Sequence, residues 1–90
     1  MRSHTDARFW KYYDALPQDV QRGADRAYKL WQSDPYHPSL QFKRIDPQEP
    51  IYSVRVGKKY RALGWLEGDT MTWFWIGSHT DYDTRLKRRK

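Results

Sequence analysis

Residues 51–79 read IYSVRVGKKYRALGWLEGDTMTWFWIGSH, and the roles of the other segments follow from them. Three runs within this stretch are rich in β-branched and aromatic residues: Ile51–Val56, Tyr60–Leu66 and Met71–Ile76. The breaks between them contain Gly57 and Gly68-Asp69, as is typical of strands joined by tight turns. The stretch therefore predicts three antiparallel strands, the last two joined by a two-residue turn.

Pairing through the first turn determines which side chains share a face of the sheet. With Val56 opposite Tyr60, Arg55 faces Arg61 across the two strands. Like charges directly opposite each other are destabilising, unless an anion lies between them. The arginine pair is therefore the first indication of a site for a negatively charged ligand.

The opposite face of the same strands is the predicted core. A two-residue second turn sets Gly64 beside Trp73 and Ala62 beside Trp75, so that small residues face large ones. Both tryptophans are then expected under the helices. Trp65 falls on the face that carries the arginines.

Helical periodicity precedes the strands. Phe9, Tyr13 and Leu16 recur at helical spacing and predict a helix from about residue 5 to 16, capped by Thr5 or Ser3. Residues 1–5 are expected to be a disordered lead-in. Pro17 ends this helix and begins a second one, predicted from about Pro17 to Gln32.

The fold class follows from the order of these elements. Leu40–Ile45 alternates apolar and polar residues and predicts a fourth strand. The chain is therefore expected to be an α+β protein, with an N-terminal helical hairpin packed on a four-stranded antiparallel sheet. Ninety residues leave room for one hydrophobic core, so residues 1–90 are predicted to form a single domain.

Composition restricts the class of partner and the compartment. The chain carries 17 Lys and Arg against 11 Asp and Glu, a net charge of +6. This excess favours a polyanionic partner such as nucleic acid, an acidic protein or an acidic membrane surface, although a basic protein without such a partner has the same composition. The absence of cysteine and of a long apolar run predicts a soluble protein of the cytoplasm.

Three segments together resemble the RelE/ParE superfamily of bacterial toxins from type II toxin–antitoxin modules. They read DPYHPSLQFKRI (34–45), YSVRVGKKYRALG (52–64) and WFWIGSHTDYD (73–83). The resemblance extends from about Phe9 to Leu86. It implies a small toxin that is neutralised by a cognate antitoxin, whose helix or strand wraps around it.

The resemblance leaves the activity open. RelE-like, YoeB-like, YafQ-like and HigB-like members are endoribonucleases that cut mRNA, usually in the ribosomal A site, whereas ParE-like members inhibit DNA gyrase. A degenerate toxin that retains only antitoxin binding is a third possibility. A fold alone does not decide among them. The favoured prediction is a metal-independent, ribosome-associated mRNA endoribonuclease that needs no cofactor.

The resemblance implies three catalytic residues. Arg61 matches the arginine that ribonuclease members carry in this hairpin, and a guanidinium can bind a phosphate through two hydrogen bonds. His79 follows the last strand, where an imidazole can donate or accept a proton at neutral pH. Tyr82 matches a terminal aromatic residue used for stacking or proton transfer.

Each of these three residues also has an ordinary structural interpretation. Arg61 can pair with Glu67 or Asp69, His79 can cap the strand or contact Asp81, and Tyr82 can belong to the core or to an antitoxin groove. A further set of basic residues is predicted to contact RNA phosphates: Arg55, Lys58, Lys59, Lys43 and Arg44. The three histidines of the chain do not show metal-ligand spacing, so no metal site is predicted.

Overall fold

The structure is a computed structural model that describes residues 1–88. Its elements are, in chain order, β1 (Arg2–Thr5), α1 (Ala7–Asp14), α2 (Gln18–Ser33), a 3-10 turn (Pro38–Leu40), β2 (Lys43–Arg44), β3 (Ile51–Val56), β4 (Tyr60–Glu67), β5 (Thr70–Ser78) and α3 (His79–Arg88). The strands form one sheet in the order β1-β5-β4-β3-β2. The α+β class is confirmed, but the sheet has five strands rather than four.

The extra strand is β1, which occupies the segment expected to be a disordered lead-in. It runs parallel to β5, while the other neighbouring strands are antiparallel. Its backbone is held at both ends, because Arg2 N–H donates to Asp69 O and Asp6 N–H donates to Trp73 O, each at 2.8 Å. The short polar segment has no apolar periodicity, so its sequence alone does not reveal pairing with a strand some 70 residues away.

The first helix is two residues shorter at its start than predicted, because Asp6 is its N-cap. Asp6 Oδ1 accepts from Arg8 N–H at 2.8 Å, so the predicted caps Thr5 and Ser3 are wrong. The Arg8 side chain also donates hydrogen bonds to the Asp6 carboxylate, and these lower the pKa of Asp6 to about 2. The second helix begins directly after Pro17 and ends within one residue of its predicted end.

The register of β3 and β4 agrees with the prediction. Val56 pairs with Tyr60, and Arg55 pairs with Arg61. Gly57 opens the connecting turn with φ of 61°, a conformation that costs glycine little. The two arginines therefore project from neighbouring strands on the same face of the sheet.

A β-bulge breaks the predicted register between β4 and β5. Gly64 lies opposite Trp73 as expected, but Ala62 pairs with Ile76, and Trp75 pairs with Leu63. The register shift leaves one extra residue on β5, so Trp75 is not under the first two helices but on the opposite face.

Two clusters of buried residues therefore cover the two faces of the sheet. Helices α1 and α2 cover the larger one, which includes Trp31, Met71 and Trp73. The smaller one, built from Leu63, Trp75 and Tyr82, lies between the sheet and α3. The side chains that the resemblance implies for catalysis lie around this smaller cluster.

The segment before β3 is less regular than predicted. Leu40 ends a 3-10 turn, and Gln41 adopts a left-handed conformation with φ of 46°. Only Lys43 and Arg44 pair with β3, so the predicted strand from Leu40 to Ile45 is reduced to two residues. The left-handed residue turns the backbone and prevents an earlier start of the strand.

The C-terminal helix α3 was not predicted, and it closes the second face. Ser78 Oγ accepts from Asp81 N–H at 3.1 Å and caps the first turn. Further along, the Arg85 guanidinium lies 5.4 Å from the Tyr12 ring and 4.9 Å from the Trp75 ring, and donates to Tyr12 Oη at 3.0 Å. The last two residues of the basic C-terminal end, Arg89 and Lys90, lie outside the described residues.

None of the helices within residues 1–88 is both long enough and apolar enough to cross a membrane.

Candidate functional site: a buried arginine beside a tethered histidine

Arg61 lies in β4 and is the centre of the candidate site. Only 7% of its surface is exposed, an unusual degree of burial for an arginine. Nη2 donates to Gln41 Oε1 at 2.6 Å, Nη1 lies 3.5 Å from Ser53 Oγ, and the guanidinium carbon lies 5.3 Å from the centre of the Tyr82 ring.

These neighbours of Arg61 are all uncharged. No carboxylate of residues 1–88 forms an ion pair with it, so the predicted pairing with Glu67 or Asp69 does not occur. Its Nε is buried and has no hydrogen-bond partner within that range. Burying a charge without a counter-ion destabilises the folded protein by roughly several kcal/mol, because the charge loses its hydration. A bound anion would offset this cost.

Arg55 shares this face and is half-buried. Its Nε donates to the carbonyl oxygen of Gly57 at 2.9 Å, which directs the side chain along the β3–β4 hairpin. Arg55 and Arg61 are cross-strand partners. The face therefore carries two permanent positive charges on adjacent strands.

His79 is the first residue of α3 and is held at two points. Its backbone N–H donates to Lys59 O at 2.6 Å, which joins the start of the helix to the β3–β4 turn. Its Nδ1 lies 3.2 Å from Asp83 Oδ2, one helical turn away. The predicted neighbour Asp81 is not the contact. The imidazole is about half exposed.

Tyr82 is near both Arg61 and His79. Its ring centre is 5.8 Å from that of His79, and its hydroxyl lies 3.5 Å from Ser53 Oγ. Only 5% of Tyr82 is exposed, so its ring is packed in the small cluster and not available to a base at the surface. The Tyr82 ring is thus close to both of the other predicted catalytic residues, Arg61 and His79.

The predicted phosphate-binding residues divide into two groups. Lys58 and Lys59 are exposed in the β3–β4 turn, and Lys43 pairs with Ser53 on the face of Arg61. Arg44 pairs with Tyr52 on the helix-covered face, and its Nε donates to the carbonyl oxygens of Asp46 and Glu49. The structure thus places Lys43 on the face of Arg61, Lys58 and Lys59 in the turn that joins the strands of Arg55 and Arg61, and Arg44 on the opposite face.

A family model described as the ParE-like toxin domain matches residues 18–84, most of the chain. The chain belongs to the ParE-like toxin domain family. It is a toxin of the RelE/ParE superfamily, from a toxin–antitoxin system. No curated protein sequence matches it.

Solved structures of toxins share the fold at low sequence identity. A chain of the RelB–RelE antitoxin–toxin complex from Methanococcus jannaschii is 20% identical, with 90% of this chain and 96% of that chain covered and a TM-score of 0.72. YafQ from Escherichia coli is 9% identical, with 91% and 98% covered and a TM-score of 0.72. The YoeB/ParE toxin from Agrobacterium tumefaciens is 10% identical, with 88% and 99% covered and a TM-score of 0.69. At these identities the similarity shows the fold.

Three residues at the candidate site of the toxin were missed from the sequence. Ser53 falls on the arginine face in the predicted register, and a serine in a buried strand was an available signal. Asp83 lies four residues after His79, a spacing that has meaning only once α3 is known. Gln41 gave no signal, because its position depends on a left-handed backbone conformation.

Within residues 1–88, no three His, Cys, Asp or Glu side chains lie close enough together to hold a metal ion.

Proposed function

We propose that this toxin is an endoribonuclease that cuts mRNA at the ribosome in the cytoplasm, without a metal ion. The observation that carries the proposal is the buried Arg61 guanidinium, which has neutral acceptors and no carboxylate partner within residues 1–88. Its cross-strand partner is Arg55, and His79 is near the same ring of Tyr82. This arrangement suits a phosphate that reacts beside a group able to transfer a proton.

The reaction that fits these residues is attack of the ribose 2′-oxygen on the adjacent phosphorus. The bond from phosphorus to the 2′-oxygen forms, and the bond to the leaving 5′-oxygen breaks, giving a 2′,3′-cyclic phosphate. The 2′-hydroxyl loses a proton and the 5′-oxygen gains one. His79 carries out one of these transfers, a contribution of typically about 10²–10⁴-fold.

Arg61 stabilises the negative charge that develops on the phosphate. A phosphate oxygen would replace Gln41 Oε1 at Nη2, which requires the exposed Gln41 side chain to turn away. A phosphate oxygen carries a negative charge that the amide oxygen lacks, so the exchange adds an ion pair to the hydrogen bond and is favourable. Removing a donor of this kind typically lowers the rate by about 10²–10³-fold.

The other predicted residues support the RNA and the arginine. Tyr82 is packed against the guanidinium, so it holds Arg61 in position rather than stacking on a base. Arg55, Lys58, Lys59 and Lys43 contact the RNA backbone on either side of the reacting phosphate. The tethering of His79 to Lys59 O then couples the RNA-binding turn to the catalytic imidazole.

A second candidate function is inhibition of DNA gyrase without nuclease activity. The family match to a ParE-like toxin domain favours it, and so does the burial of Tyr82, which keeps that ring away from RNA. A toxin that retains only antitoxin binding has the same features. In all three cases the proposed partner is a cognate antitoxin, as in the RelB–RelE complex that shares the fold.

Mapping of mRNA 5′ ends by primer extension after induction tests the proposal. We expect new ends within reading frames for the wild-type toxin and none for the His79→Ala variant, while circular dichroism shows both to be folded. Purified toxin should cut mRNA that is bound to purified ribosomes. Growth arrest with filamentation and a DNA-damage response, but without new mRNA ends, would favour gyrase instead. Normal growth of cells that express the wild-type protein would favour a degenerate toxin that retains only antitoxin binding.

A further inference from the structure

One nitrogen of the His79 imidazole is occupied and the other is free. Nδ1 lies 3.2 Å from Asp83 Oδ2. Nε2 has no hydrogen-bond partner within residues 1–88. The nitrogen that is free to exchange a proton with a ligand is therefore Nε2, and Asp83 determines this.

The position of the ring is fixed as well as its orientation. The backbone N–H of His79 donates to Lys59 O, and Ser78 Oγ caps the helix turn that carries both His79 and Asp83. On its other side the imidazole is close to Tyr82, which packs on Arg61. These contacts keep Nδ1 beside Asp83 and keep the imidazole near the Tyr82 ring, which also contacts Arg61.

We infer that Asp83 is a positioning residue of the toxin, which holds Nδ1–H of His79 and makes Nε2 the nitrogen that transfers protons to or from RNA. The inference rests on the proposed nuclease function. An ionised carboxylate only accepts hydrogen bonds, so it selects the neutral tautomer with its proton on Nδ1. Nε2 then carries the lone pair that takes a proton.

The contact has little to contribute to stability. Both side chains are about half exposed, and ion pairs in such surroundings add little to stability because solvent screens them. Asp81 provides a matched control on the same turn, because its side chain has no hydrogen bond or ion pair with any residue in 1–88. The Asp81→Ala variant removes the same charge near the start of α3 without touching the imidazole.

The first measurement is independent of activity. Long-range proton–nitrogen NMR spectra of the toxin, recorded at alkaline pH where histidines are neutral, report which nitrogen of His79 is protonated. We expect the Nδ1–H tautomer in the wild-type toxin and in Asp81→Ala, and a shift toward Nε2–H in Asp83→Ala. The same tautomer in all three proteins would overturn the inference.

The second measurement separates the inference from the proposed function. With ribosome-bound mRNA as the substrate, Asp83→Ala should lower kcat by about 10-fold or more and leave KM within twofold, because Asp83 orients the histidine that transfers the proton and does not itself contact RNA. Asp81→Ala should match the wild-type toxin. If the wild-type toxin cuts RNA, His79→Ala does not and Asp83→Ala matches the wild type, only the inference fails. If the wild-type toxin cuts no RNA, the nuclease proposal fails and the inference fails with it.

Discussion

Arg61 is expected to reduce the stability of the toxin, because its charge is buried without a counter-ion among residues 1–88. The side chain is buried, its acceptors are neutral, and its Nε has no partner within residues 1–88. An apolar residue of similar length would fill the same space without the desolvation penalty. A residue that lowers stability and lies beside a second arginine is better explained by ligand binding than by folding.

The Arg61→Met variant tests this explanation through thermal unfolding. We expect its free energy of unfolding to be unchanged or higher by about 1 kcal/mol, because the buried charge is removed and most of the volume is kept. The control is Arg22→Met on the exposed surface of α2, for which we expect a change within about 0.5 kcal/mol. A loss of more than about 2 kcal/mol in Arg61→Met alone would mean that the guanidinium stabilises the fold.

Some contacts of single residues could be predicted from the sequence and others could not. The pairing of Arg55 with Arg61 was predicted, because a tight turn fixes the register of two adjacent strands. The contact of His79 with Asp83 was not, since it requires a helix that was not predicted. The hydrogen bond from Arg61 to Gln41 joins residues 20 positions apart and depends on the left-handed backbone at Gln41.

The bulge in β5 puts Trp73 and Trp75 on opposite faces of the sheet. It lies opposite Gly64, where a Cβ atom would be 2.6 Å from Met71 Cε and 2.7 Å from Thr72 O. The backbone oxygen has little freedom to move, so only glycine fits there. The bulge in turn puts Trp75 under α3, next to the candidate site.

Substituting this glycine should therefore be costly. We expect Gly64→Ala to lower the free energy of unfolding by about 1–3 kcal/mol, because the added methyl group overpacks the sheet. Gly23→Ala is the matched control, since the nearest atom to a Cβ at that helical position is 3.8 Å away. It should raise stability by about 0.4–1 kcal/mol. Chemical denaturation measures both, and equal changes in the two variants would contradict the role of the bulge.

The elements that were predicted correctly are those defined by local patterns. Helix α2 and strands β3, β4 and β5 follow from periodicity and glycine turns. Strand β1 depends on parallel pairing across the chain, and α3 has a mostly polar sequence that carries little periodic signal. The bulge adds one residue to an alternating pattern, and alternation does not reveal it.

For the whole molecule, the net charge of +6 is consistent with a nucleic-acid partner. Two of the positive charges, those of Lys58 and Lys59, are exposed at the β3–β4 turn and are predicted to contact RNA there. Binding to single-stranded RNA should weaken as salt increases, because each phosphate that a lysine neutralises releases a counter-ion. The logarithm of the affinity should fall with the logarithm of the salt concentration by about 0.7 per contact.

A double variant locates these contacts. Substituting Lys58 and Lys59 by alanine should lower the slope by about 1.4, the value expected for two lost phosphate contacts. The control pair is Lys11 and Lys29, which are exposed on α1 and α2 at the opposite face of the sheet. Fluorescence anisotropy with a labelled mRNA fragment measures the slope. An equal change for both pairs would mean that the turn is not the docking surface.

The most direct test is to map the 5′ ends of mRNA from cells that express either the wild-type toxin or Arg61→Met at equal levels. New ends within reading frames that disappear in the variant, while the variant remains as stable as the wild type, are the predicted result. Cuts of the same number and position in both would contradict the assignment of Arg61 as the phosphate-binding group.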